Sequence, residues 1–314
     1  NKSENGVNYF SGKSNREVLV YFTQDNPFQI LKINNDRTLL TNIFRESEDQ
    51  DKSIDKAKRI DDFVTKAFDF KGENKFLIPV LVYDNNPFFG LNDLPKFLAP
   101  FNDSFLEEIS FLKSYLHFYL SNNLSIDLRQ DHWIIGGLQT YLMIKYIETY
   151  YPKEKYLGRL GDFKLMKAYT LADIDFNESF WMYYEFMERA NLQQSDLLPK
   201  DQLVKFNEKI GSPYHVGIGL RYIEHYIGKE YFDKALREYL NQDGKHLNMI
   251  ALLKKHSPKN IDWFKDFYLK DRTPTDIKIK GVKRNKDSIV VNLTKNSDNN
   301  IPFLLSQVKC DVIL

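Results

Sequence analysis

Residues 113–117, Lys-Ser-Tyr-Leu-His, place His117 one helical turn beyond a lysine. Two histidines four apart on a helix, with a glutamate after the first, make the zinc-hydrolase pattern HExxH. Both imidazoles then reach one metal, and the glutamate serves as general base. In this chain Lys113 stands at the first histidine and Ser114 at the glutamate, so only His117 keeps its type. A lone histidine on a helix is ordinarily structural, because a catalytic zinc takes three protein ligands. Ser114 has no histidine spaced to activate its hydroxyl and does not read as a substituted nucleophile. An ammonium at 113 would repel a dication close by. Its charge either stands in for a metal by pairing with a carboxylate, or runs out to solvent along its methylene stem.

The other histidines offer little more. His132, His215 and His225 fall on neighbouring predicted elements, but their spacing gives no support to a rebuilt metal site. His246 and His256 read as surface residues. Cys310 is the single cysteine, which excludes an internal disulfide and a thiolate zinc cluster.

The elements that must position these residues follow from hydrophobic spacing. Residues 1–14 are polar and read as loose. Residues 16–22 and 28–33 read as strands joined by a turn at Asn26-Pro27. Ile54, Ala57, Ile60, Phe63, Val64 and Phe68 recur at helical spacing. A buried strand is predicted at 75–83, then a long loop at 84–95. From about 104 the chain reads as overwhelmingly helical. Phe105, Ile109, Leu112, Leu116 and Leu120 form one stripe, and Ile135, Leu138, Leu142 and Met143 begin another that Pro152 ends. Further helices are predicted at 157–168, 178–191, 200–209, 213–227, 229–241, 246–255 and 260–269. After 272–276 the pattern turns to period two, predicting a β hairpin.

Among 314 residues, 42% are hydrophobic and 28% charged, which fits a globular protein with a large core. The formal net charge of +1 gives no global field toward nucleic acid or an anionic membrane. The longest apolar run, 76–83, is too short to span a bilayer. The chain opens at Asn1 without a methionine and stops within a strand-like run, so it reads as a segment of a longer protein. An export signal or anchor upstream would place that protein in the cell envelope or outside; the compartment stays open.

The stretch 113–152 resembles the M1 family of gluzincin, aminopeptidase-like metallopeptidases. That family reads HExxH, a polar loop, a Trp-containing segment ending in Glu-Gly, and a helix beginning Thr-Tyr-Leu. Its third ligand is a glutamate nineteen positions after the second histidine, where this chain has Gly136. Asn122, Asn123, Trp133, Gly137, Thr140 and Tyr141 agree with the family in register. Downstream, 212–240 resembles the segment in which a tyrosine opens a glycine-containing helix and stabilises the transition-state oxyanion; that tyrosine would be Tyr214. Ser212 and Pro213 suit a helix start, and Gly217 and Gly219 suit close helix packing. The family's GxMEN element, whose glutamate holds the substrate's amino terminus, has its nearest counterpart in 88–92, with Leu91 replacing the glutamate and Asn92 retained.

The resemblance implies a mostly helical α+β, thermolysin-like catalytic domain over 1–274 with a small amino-terminal sheet. Residues 275–314 would start a β-sandwich-like domain. Active relatives use zinc, a glutamate base and the tyrosine. With Lys113, Ser114 and Gly136 at the lost positions and His117 as the remnant ligand, no metal is expected here and Tyr214 would be vestigial. The implied role is a catalytically inactive homologue that binds a peptide or protein, or acts as a scaffold. Its groove would be lined by Leu91, Asn92, Trp133 and Tyr141. The alternative is an active metallopeptidase or aminopeptidase-type hydrolase with a non-standard metal site.

Overall fold

The computed structural model describes residues 2–9, 28–33, 38–41, 50–68, 75–78, 100–164, 170–242, 246–272, 277–286, 288–295 and 301–302. The predicted strand at 16–22, the end of the predicted strand 75–83 beyond Ile78, the whole 84–95 loop with Leu91 and Asn92, and Cys310 lie outside them.

The fold is mostly helical α+β. Strands β3 (Gln29–Lys32), β4 (Thr38–Thr41) and β5 (Lys75–Ile78) form a sheet in that order. The first pair is antiparallel, with Ile30 opposite Leu40. The second is parallel, with Thr38 opposite Lys75. A parallel pair needs a crossover, and helix α1 (Gln50–Phe68) lies between its strands in the chain. Ala57, Ile60 and Val64 of α1 are fully buried, as the helical spacing requires, and share one core with Leu31, Leu39 and Ile78 of the sheet.

Helix α2 (Asp103–Asn123) starts at Asn102, whose side chain accepts the Phe105 N–H at 2.7 Å. Its apolar stripe, Phe105 to Leu120, is buried throughout. Helix α3 (His132–Tyr150) has hardly a solvent side: thirteen of its residues are buried, the mark of a central helix. Helix α4 (Glu178–Arg189) follows, then α5 (Ser212–Ile227), α6 (Lys229–Leu240) and α7 (Met249–His256). The α3–α5 crossing is close, because a Cβ on Gly137 would come within 2.2 Å of Val216 and one on Gly217 within 2.5 Å of Thr140. Close packing at Gly217 was expected from the sequence, and α3 is its partner. Among the described residues, no helix is long and apolar enough to cross a membrane.

Several elements differ from expectation. Within the stretch expected to be loose, Lys2–Glu4 and Val7–Tyr9 pair as a hairpin (β1 and β2). Asn5 and Gly6 turn it with φ of 52° and 76°, as a tight turn with two left-handed central residues requires. Of the predicted helix 157–168, Gly158–Asp162 is a 3₁₀ turn and 165–169 lie outside the described residues. Lys200–Gln202 is likewise 3₁₀, while Asn207–Gly211 and Phe264–Asp271 are π-helical. Ser212 does not cap: the chain is already helical at Asn207–Gly211, and its hydroxyl has no hydrogen-bond partner among the described residues.

The carboxy-terminal hairpin, β6 (Ile277–Asn285) and β7 (Ser288–Lys295), holds a bulge at Lys280, between Ile279 and Gly281. One extra residue there restores the alternation. Ile277, Ile279 and Val282 therefore share a face with Ile289, Val291 and Leu293. Beyond the hairpin, the Pro302 carbonyl accepts a hydrogen bond from the Tyr222 hydroxyl of α5.

Candidate functional site

Helix α2 carries Lys113, Ser114 and His117, α3 carries Trp133, Gly136 and Tyr141, and α5 carries Tyr214. A hydrogen bond joins the first two helices at this level: the Gln139 side chain donates to the Lys113 carbonyl at 2.6 Å. The Lys113 side chain is partly buried. Burial, with the charge of Lys209 adding to it, pulls its amine down to about 8. Ser114 is 4% exposed, and its hydroxyl donates back to the Ser110 carbonyl at 3.1 Å. That bond is local helix chemistry and leaves the hydroxyl neither aimed outward nor activated. His117 is partly buried, beside the Phe118 ring.

Gly136 faces the start of α5. A Cβ there would lie 2.9 Å from Cγ of Pro213, and 3.3 Å from its Cα. A glutamate at this position would require the first turn of α5 to move. Tyr214, next along, is buried and meets Phe180 edge-on at 4.8 Å between ring centres, with Tyr183 behind. Burial raises its phenol well above the usual range. Trp133 and Tyr141, expected along a groove, are 5% and 3% exposed and belong to the core; Tyr141 packs on Phe232.

The histidines are engaged separately. His132 Nε2 lies 2.9 Å from the Leu198 carbonyl, an acceptor, so that nitrogen donates. His246 Nδ1 lies 3.0 Å from the Ser125 carbonyl, and His256 Nε2 2.6 Å from a Glu238 carboxylate oxygen. His225 is exposed. Among the described residues no group of three or more His, Cys, Asp or Glu side chains is placed to hold a metal. The zinc that the family resemblance implies does not fit the residues present: Lys113 brings a cationic donor group, and Gly136 brings no donor and no room for one.

Two buried polar centres escaped the sequence reading. In the first, the fully buried Glu108 carboxylate accepts hydrogen bonds from Arg59 and from the hydroxyls of Tyr146 and Tyr151. Its signal was present, since Glu108 sits on the apolar stripe between Phe105 and Leu112. In the second, His215 Nδ1 and Asp196 Oδ2 are 2.5 Å apart, both side chains essentially inaccessible. Tyr268 and Tyr184 stack on the two faces of the imidazole, at 4.0 and 4.7 Å. Arg272, in the left-handed region at φ 50°, brings Nη1 to 4.0 Å from the other Asp196 oxygen and to 2.8 Å from the Gln194 carbonyl. Burial draws the imidazole down to about 4, against the pull of Asp196. A neutral imidazole donating to a carboxylate is the resulting state. With the Asp196 N–H bonded to the Leu269 carbonyl and the Tyr268 hydroxyl to the His215 carbonyl, this centre ties three segments together. No sequence spacing announces it, because Asp196 reaches His215 from an irregular loop.

No protein-family model matches this chain, and neither do any curated protein or solved structure.

Proposed function

We propose that this chain is a thermolysin-like gluzincin domain of M1 type that has lost hydrolysis and serves as a peptide- or protein-binding or scaffold unit. The observation that carries the reading is what occupies the chemical positions. A lysine stands at the first ligand, a back-bonded serine at the base, and at the third ligand a glycine packed against Pro213. Water activation by zinc needs an open, three-ligand site and a base within reach of the bound water. Two of those ligands and the base are not supplied here. The burial of Tyr214 between Phe180 and Tyr183 also supports a phenol that packs instead of reaching a substrate. The amphipathic hairpin after residue 276 supports reading 275–314 as the opening of a β domain, with the catalytic-type unit preceding it.

The test offers excess Zn²⁺ to protein purified without chelator, measures bound metal by mass spectrometry, and assays turnover of unblocked and blocked peptides. Sub-stoichiometric, weakly held zinc and no turnover are expected. Near-stoichiometric tight zinc, or metal-dependent cleavage, would overturn the reading and favour the hydrolase with a non-standard site.

A further inference from the structure

Helix α4 is amphipathic in an unusual sense. Its inner face buries Phe180 and Met187, and Tyr183 and Tyr184 pack partly buried beside them. Its outer face is also apolar: Trp181 is 41% exposed, Met182 38% and Phe186 60%. Past the end of the helix Leu192, Val204 and Phe206 are exposed as well, at 52%, 54% and 36%. Short bonds hold these segments together, since the Asn207 side chain donates to the Leu192 carbonyl at 2.8 Å and the Val204 N–H donates to Gln194 at 2.8 Å. These bonds tie the 192–194 and 204–207 segments to each other.

At roughly 150–250 Å² for each large side chain, those fractions expose on the order of 600 Å² of apolar area, the upper end of what a monomer carries. That apolar area is the larger part of the roughly 800 Å² that each partner contributes to a stable interface of standard size. The charges on the α4 part of this face are Glu185 and Arg189, one turn apart, with the carboxylate also accepting from Trp181 Nε1 at 2.8 Å, while Lys205, between Val204 and Phe206, pairs with Glu208 at 2.8 Å. An acid and a base one turn apart are complementary to themselves when the helix is laid antiparallel on a copy. Turned about a two-fold axis level with residue 187, Glu185 faces the partner's Arg189, Met182 faces the partner's Leu192, and both Phe186 rings lie beside the axis.

We propose that the outer face of α4, with Leu192, Val204 and Phe206, is a two-fold interface with a second copy of this chain. The contact is isologous: the Glu185–Arg189 pairs and the Phe186 rings lie about the axis, and Met182 and Leu192 close it at both ends. It needs no catalytic competence and stands apart from the peptidase reading.

Sedimentation equilibrium on the whole chain tests it, with melting curves to show that each variant folds. The chain should dimerise at concentrations up to about 100 µM. Phe186→Glu, which buries a charge at the axis, should weaken the dimer at least about 30-fold. Glu185→Arg and Arg189→Glu each set like charges across the axis and should be separately monomeric. Mixed in equal amounts they should form a heterodimer, because each then offers the charge its partner lacks. A chain that stays monomeric, a dimer that Phe186→Glu leaves intact, or a mixture that associates no better than its components would overturn the proposal.

Discussion

Replacing Lys113 with methionine should make the protein more stable. The side chain keeps its length and loses its charge, and the charge is what the site resists: burial, with Lys209 nearby, lowers the amine from 10.5 to about 8. The shift from 10.5 to about 8 corresponds to roughly 3 kcal/mol at about 1.4 kcal/mol per unit; partial exposure reduces this to about 1–3 kcal/mol. The sign follows from proton binding. The unfolded chain holds the lysine proton more tightly than the fold does, so wild-type stability rises with pH between about 8 and 10.5. The cost is fully present below pH 8 and gone above about 10.5. Urea unfolding at pH 7 should therefore show a higher midpoint for Lys113→Met with an unchanged slope, and near pH 10 the two proteins should converge. A less stable variant would refute the reasoning. A gap of the same size at both pH values would show that packing, and not charge, sets the difference.

Acid should loosen the protein through His215. Its folded value of about 4 lies below the ordinary 6.5, so stability is lost as pH falls from about 6.5 to 4, by at most roughly 3 kcal/mol. Thermal melts across that range should show the decline, and a His215→Phe background should flatten the part due to this group. Gly136→Ala should destabilise by about 1–2 kcal/mol. Overpacking against the Pro213 ring costs about 1–3 kcal/mol, and better helix propensity returns only about 0.5–1; chemical denaturation would measure the net sign.

What the sequence disclosed depended on whether the physical signal was local. The stripes of α1 and α2 were legible because 3.6-residue spacing is the burial pattern itself: Ala57, Ile60 and Val64 of α1 and the whole α2 stripe are in the core, and Ile54 and Phe63 pack partly buried against it. The period-two run after 276 was equally direct, although the bulge at Lys280 that keeps its apolar residues on one face was not visible. Asn5-Gly6 is a strong turn signal that was passed over because its strands are three residues long and polar. The two π-helical segments could not be read, since one wider turn hardly changes an apolar period. At the candidate site, the departures from the HExxH pattern were plain from residue types. Their surroundings were not: Pro213 against Gly136, and Asp196 against His215, join residues 77 and 19 apart through tertiary packing.

Lys113 and Gly136 have different physical characters. Lys113 adds a group the fold tolerates at a cost, whereas Gly136 removes a side chain and lets a neighbour in. Pro213 occupies that space as part of the first turn of α5, and the π-helical Asn207–Gly211 runs directly into that turn. A π turn carries one more residue than an α turn and so rotates the helix that follows. The rotation helps fix which face of α5 meets α3, and that face presents Pro213 to Gly136 and Gly217 to Thr140. The glycine at 136 is therefore part of the packing between α3 and α5 as much as a missing donor. Placing a carboxylate at 136 alone would oppose the close α3–α5 crossing. Under the proposed reading, that coupling gives the inactive arrangement a structural footing of its own.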